Sequence, residues 1–276
     1  MIRIVLHRFG DVKEGFVEGV LDVLKECYDR LGAHDLEIVD IYIFDRSSSM
    51  SAFVNEEKRK LGVETSAFEE SYLALHDAWH GTPRIMVAYD KFSEVPKLVG
   101  IGALHHEAAH TVLHGYLEYY SFPIPMLLLK LQKDNVISRQ TMRDLVYLAS
   151  VAVKDYEVTR LLYENGYLED QIAYSEYYLK PSEEDLETWK LAEKNRTTTL
   201  IFLVSIIKTA CCAAPLLKDE RYGEEILRAV NRNMSFLPPE LSIRLFTVIK
   251  AASEFGKNTH ENVDQFMKEI GDQLVV

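Results

Sequence analysis

Cysteine is scarce in this 276-residue chain, with three in all: Cys27, Cys211 and Cys212. The last two are adjacent, a strained geometry for a mutual disulfide, and none has the paired spacing of a zinc ribbon. A disulfide-built secreted fold is therefore excluded, and buried, reduced thiols are expected. Basic charge is also short. Lysine and arginine number 31 against 43 aspartates and glutamates, a net charge of −12, and such a surface repels a polyanion, so no nucleic acid partner is expected. Long hydrophobic runs are missing too. The longest, Leu200 to Ala214, contains Ser205, Lys208, Thr209 and two cysteines and ends at Pro215. It falls short of the roughly 20 apolar residues of a spanning helix, reads as a buried core helix, and gives no reason to expect a membrane partner. The opening stretch MIRIVLHRFGDVKEG has too short an apolar run for a signal peptide, which makes the cytoplasm the expected compartment. What remains is ordinary globular composition, 47% hydrophobic and 27% charged, long enough for one large domain or two subdomains.

The chain reads as two halves, residues 1–121 and 122–276. In the first, strand and helix patterns alternate. Ile2 to Leu6 is a β-branched run, Asp11 to Leu31 has helical apolar spacing, and Asp35 to Phe44 alternates as a second strand. Ser47 to Ser51 reads as a polar break before a short helix from Ala52 to Leu61, and residues 64–80 carry no clear pattern. Arg84 to Tyr89 is a third strand, introduced by Gly81-Thr82-Pro83, and Val95 to about Tyr119 is a helix with Pro96 suited to its first turn. Phe122-Pro123-Ile124-Pro125 is a breaker and a plausible hinge. Beyond it no strand pattern is convincing, and helices are expected at about 126–133, 139–164, 168–178, 183–212, 221–232, 239–255 and 260–273. Residues Glu164 to Glu187 hold eight acids and one base, Lys180, which reads as a solvated acidic face. The expected class is α+β: a small twisted sheet with one buried helix, followed by a larger all-helical lobe.

One segment carries chemistry: Ala103-Leu104-His105-His106-Glu107-Ala108-Ala109-His110. Residues four apart on a helix lie about 40° apart around the axis and one turn along it, so His106 and His110 can converge on one ion, with Glu107 beside it. The three letters alone recur by chance, but the setting supports a site. A β-branched strand precedes them, the helix is apolar, and Gly102, Ala103, Ala108 and Ala109 permit close packing. His106, Glu107 and His110 resemble the H-E-x-x-H signature of the zincin metallopeptidases. The longer metzincin pattern fails, because Leu113 stands where it wants glycine and Tyr116 where it wants a third histidine. His114 reads as a cleft or helix-end residue.

The remaining resemblance is gluzincin-like, in which a glutamate of a later helix is the third ligand. Ser150 to Arg160 puts Asp155 and Glu157 in an otherwise apolar helix, where a carboxylate is costly unless it is paired or binds metal. They lie about 200° apart around the axis, so one can face the ion. Glu157 is preferred for its longer arm and for the resemblance, with Asp155 as the alternative. The resemblance implies a zinc-dependent peptidase acting on a peptide or protein substrate. His106, His110 and Glu157 would hold Zn2+, and Glu107 would be the general base. An extended peptide would lie along Arg84 to Tyr89 as edge strand. His114, Tyr119, Tyr120, Tyr156 and His80 are candidates for stabilising the oxyanion, and His105 reads as a residue that packs or that supports the ligands from behind. The competing expectation is a catalytically inactive zincin-fold protein that acts as a partner-binding module.

Overall fold

The computed structural model describes residues 2–32, 34–61 and 72–275, so the first part of the stretch without clear pattern, 64–71 of 64–80, lies outside them. The protein is α+β, and its chain divides into two compact units. One comprises Met1–Tyr120 with Glu164–Tyr174, the other Ser121–Tyr163 with Ser175–Val276.

In the first unit the β-branched runs form strands β1 (Arg3–Phe9) and β2 (Ile38–Phe44), joined by helix α1 (Glu14–Leu31). Helix α1 buries Val17, Val20, Leu24, Cys27 and Tyr28, a spacing of three to four that makes one apolar stripe. Helix α2 (Ser47–Leu61), strand β3 (Ala74–Asp77) and strand β4 (Arg84–Ala88) follow, then the short helix α3 (Tyr89–Phe92) and the long helix α4 (Lys97–His114). The sheet order is β1-β2-β4-β3. The pairs β1–β2 and β2–β4 are parallel, whereas β3 runs antiparallel to β4 with Ala74 opposite Val87 and Asp77 opposite Arg84.

This unit departs from the sequence expectations in four places. Strand β3 has no sequence pattern of its own; four residues, Ala-Leu-His-Asp, are too few to show a period. Its presence makes β4 an inner strand, so Arg84–Ala88 cannot be the edge along which a peptide adds. The serine-rich stretch is not a break but the first turn of α2. The Asp90 carboxylate accepts from the Ser47 N–H (2.8 Å) and its hydroxyl (3.0 Å), so a side chain 43 residues away supplies the cap that the local sequence lacks. Helix α4 stops at His114 rather than continuing to Tyr119. A Cβ on Gly115 would sit 2.3 Å from the Thr111 carbonyl oxygen, and a separate 3-10 turn, Leu117–Tyr120, follows.

The second unit has no strand among its described residues. Its helices are α5 (Met126–Lys133), α6 (Arg139–Glu164), α7 (Glu169–Leu179), α8 (Glu183–Ala192), α9 (Arg196–Ala213), α10 (Gly223–Asn233), α11 (Pro239–Ala251) and α12 (Thr259–Ile270). The last residue of α6 and the first half of α7 belong to the first unit. The single helix expected over 183–212 is two, because the Asn195 side chain accepts from Thr197 N–H (2.9 Å) and Thr198 N–H (3.3 Å) and starts α9 afresh. Helix α9 is the centre of this unit, packed by α8, α10 and α11. Residues 196–218 are long and apolar enough to cross a membrane, at mean hydropathy 2.2, but 72% of that window is buried inside the protein. Cys211 and Cys212 are buried thiols in no disulfide, as is Cys27 in the first unit.

Lys154 on α6 is also buried, and burial pulls its ammonium down to about 8, against the opposing pull of Asp155 and Glu157. A lysine whose folded value is lowered disfavours folding while it must stay protonated, and the penalty lifts as pH rises through about 8 towards its unfolded value near 10.5. Urea unfolding of the wild type at pH 7 and pH 9.5 is therefore expected to show a gain at the higher pH, on the order of 1–3 kcal/mol, relative to the same two measurements on Lys154→Met. Parallel pH curves for the two proteins would remove Lys154 as the cause.

Candidate metal centre

Helix α4 is buried on almost all sides. Its buried set runs from Val99 through Gly102, His105, His106, Glu107 and His110 to His114, which is the pattern of a core helix rather than an amphipathic one. Within the first unit it packs against α1, β3 and β4, and small residues set how close the neighbours come. A Cβ on Gly100 would stand 2.9 Å from the Phe92 ring, and one on Gly102 would stand 2.5 Å from the Asp170 carbonyl oxygen and 2.9 Å from Tyr174 Cβ. Gly102→Ala must therefore push the start of α7 away. The expected cost is about 1–3 kcal/mol, measured as a lower urea midpoint at unchanged slope, whereas Gly19→Ala on α1, with nothing within 4 Å of its added Cβ, is the control that should not fall.

The two histidines of the motif meet. His106 Nε2 and His110 Nε2 are 3.1 Å apart, and their ring planes cross at 77°. Two imidazole nitrogens, each about 2.0–2.1 Å from a shared tetrahedral zinc, would stand about 3.3 Å apart, so the separation of these two donors fits one ion. The other nitrogen of His110, Nδ1, lies 3.2 Å from His114 Nδ1. One of this pair donates to the other. When the proton sits on His110, its Nε2 presents a lone pair towards His106. His114 thus has a defined place behind His110, and its own ring abuts Tyr119 edge to face at 5.1 Å. His106 is backed by the ring of Tyr174, stacked at 5.1 Å.

Glu107 is 8% exposed and its Oε2 lies 3.1 Å from His76 Nδ1. His76, on β3, also stacks on His110 with ring centroids 4.0 Å apart and planes within 10°. No sequence signal marked it. His76, Glu107 and His110 offer ligand atoms within 4.8 Å of one another, but an imidazole binds a metal in its ring plane, and two parallel stacked planes share no bonding point. By geometry His106 and His110 are the convergent pair, and His76 is not a co-ligand with His110.

His105 points elsewhere. Its Nδ1 lies 2.8 Å from Asp170 Oδ2, and the same oxygen accepts from Gln171 Nε2 at 2.9 Å. Gln171 also donates to the Gly102 carbonyl at 3.1 Å. Burial alone would raise Asp170, but the hydrogen bonds from His105 and Gln171 outweigh it and hold the carboxyl below its usual range. Its contribution to stability is full above the ordinary aspartate value and is lost as pH falls through the lowered folded one. The acidic stretch from Glu164 is therefore not solvated throughout, since Asp170 is buried and holds α7 to α4.

Among the oxyanion candidates, Tyr120 shares the surroundings of Glu107. Burial, with the nearby charges of Asp77 and Glu107, raises its phenol well above the ordinary value, so it remains a neutral O–H. His80 is half exposed beside Glu57, 3.5 Å away. Tyr156 belongs to the second unit, edge-on to Phe255 with Arg160 over its ring. Glu157 also lies there, on α6, and its two carboxylate oxygens accept from Thr259 Oγ1 at 2.8 Å and from Asn262 Nδ2. Arg160, a sequence-adjacent cation, donates instead to the carbonyls of Phe255 and Gly256. Asp155 is half-buried on the same helix. Comparison with protein-family models, with curated proteins and with solved structures found no match.

Proposed function

We propose that this chain is a zinc-dependent hydrolase of peptide bonds, related in design to the gluzincin branch of the zincins, with His106 and His110 as ligands and Glu107 as general base. One observation carries the reading: two buried imidazoles on successive turns of α4 present Nε2 atoms 3.1 Å apart, with His114 behind one of them. Bound there, zinc would make water acidic enough to attack a carbonyl near neutral pH and would polarise that carbonyl. Glu107, one step round the helix, takes the proton from the attacking water and returns it to the leaving amine. Tyr120, kept protonated by its burial, is the candidate donor to the oxygen that gains charge.

For the third ligand the sequence resemblance points to Glu157, with Asp155 as the alternative. Glu157 accepts from Thr259 and Asn262. Asp155→Asn and Glu157→Gln separate them, because only the substitution at a ligand lowers zinc affinity. The test of the whole reading is elemental analysis of the purified protein beside His106→Ala. About one zinc per chain, lost in the variant, is the expected result. A wild type that neither carries nor takes up zinc would overturn the enzyme reading in favour of a non-catalytic partner-binding module.

A further inference from the structure

We infer that His76, on strand β3, is a positioning residue that fixes the carboxylate of Glu107, and is not a metal ligand; this rests on Glu107 being the general base proposed above. The geometry leaves His76 little choice. Its strand is held in register against β4, with His76 opposite Ile85. The next residue, Asp77, is clamped by Arg84 through two hydrogen bonds of 2.7 and 3.0 Å. The ring is mostly buried, at 11% side-chain exposure, and its face is covered by His110 at 4.0 Å. With the ring plane set by that stack, Nδ1 meets Glu107 Oε2 at 3.1 Å.

A glutamate side chain has three rotatable bonds, and a base must aim one oxygen within hydrogen-bond reach of the proton that it takes. Tying Oε2 to a ring that the sheet and His110 both hold removes that freedom before substrate arrives. The same stack rules out the rival role. His76 and His110 lie in nearly parallel planes, whereas His106 and His110 cross, so His106 and His110 would hold an ion and His76 would not join them in their ring planes.

Four proteins test this: wild type, His76→Ala, His76→Asn and His76→Gln. Asparagine places an N–H where Nδ1 stands; glutamine places one nearer Nε2. All four are expected to bind about one zinc per chain, unlike His106→Ala. Acetohydroxamate, a metal-binding probe whose hydroxyl a carboxylate can accept, reads Glu107 without turnover. Its Kd for the zinc-loaded protein is expected to weaken about 10-fold in His76→Ala, to recover in His76→Asn and not in His76→Gln. With Glu107→Gln already in place, His76→Ala should change nothing further. With the best peptide from a randomised quenched-fluorescence mixture, kcat should fall about 10- to 100-fold with KM little changed, again rescued by asparagine. Loss of zinc in His76→Ala and His76→Asn would make His76 a ligand and overturn the proposal. Full zinc with asparagine no better than alanine would show that His76 does not position Glu107, and would overturn the proposal as well. A wild type without zinc sinks the hydrolase reading itself, a result separable from either.

Discussion

Glu107→Gln is expected to keep its zinc and lose turnover by a factor of about 10²–10⁴, the usual worth of a positioned general base. The amide is nearly isosteric, so helix α4 and the His106–His110 pair need not move, and the new side chain still offers an oxygen to His76. What it lacks is a basic lone pair able to take a proton. If metal content and unfolding midpoint match the wild type while kcat falls, the loss is chemical. If zinc is lost with activity, Glu107 belongs to the donor set and the roles assigned on α4 are wrong. Equal activity in the variant and the wild type would remove the base from the mechanism altogether.

Arg84→Leu is expected to cost about 3–5 kcal/mol, enough to unfold a marginal domain. The Arg84 guanidinium is buried between two acids. It donates from Nε to Asp77 Oδ1 at 2.7 Å and from Nη2 to Asp77 Oδ2 at 3.0 Å. Nη1 and Nη2 also reach the two oxygens of Glu57 on α2. Burial opposes the charge, but the hydrogen bonds to Glu57 and Asp77 outweigh it and raise the guanidinium further above its ordinary value. Arg84 and Asp77 are 3% and 2% exposed, so leucine would strand a carboxylate where water cannot reach it. Lysine keeps the charge but not the fork that grips Asp77 at two points, and should recover only part of the loss. Urea unfolding at neutral pH measures both. A midpoint within about 0.5 kcal/mol of wild type for Arg84→Leu would show that the cluster contributes nothing net. Because Asp77 anchors β3, the same variant is expected to loosen His76.

The motif helix was legible because its information is local. Spacing places His106 and His110 one turn apart, and the apolar residues around them mark a buried helix. The strands β1, β2 and β4 and most helices of the second unit were readable for the same reason. His76 was not, since a four-residue strand shows no period and its partners are β4 and Glu107, 31 residues further along the chain. Asp170 was hidden among eight acids, and only its packing against His105 and Gln171 distinguishes it from a solvated neighbour. Glu157 drew attention as a costly carboxylate in an apolar helix; its hydrogen-bond donors, Thr259 and Asn262, are about a hundred residues away.

The amino-acid order alone settled the α+β class, the alternation of the first unit, and the pairing of two imidazoles along one helical face, because each follows from side-chain period and backbone propensity within a few residues. Contact between distant segments decided the rest. Asp90 caps α2, β3 takes the edge that β4 was expected to hold, Asp170 orients His105, and His76 meets Glu107. These are hydrogen bonds and ring contacts between groups that no local period brings together, and only the packed chain holds both partners in reach.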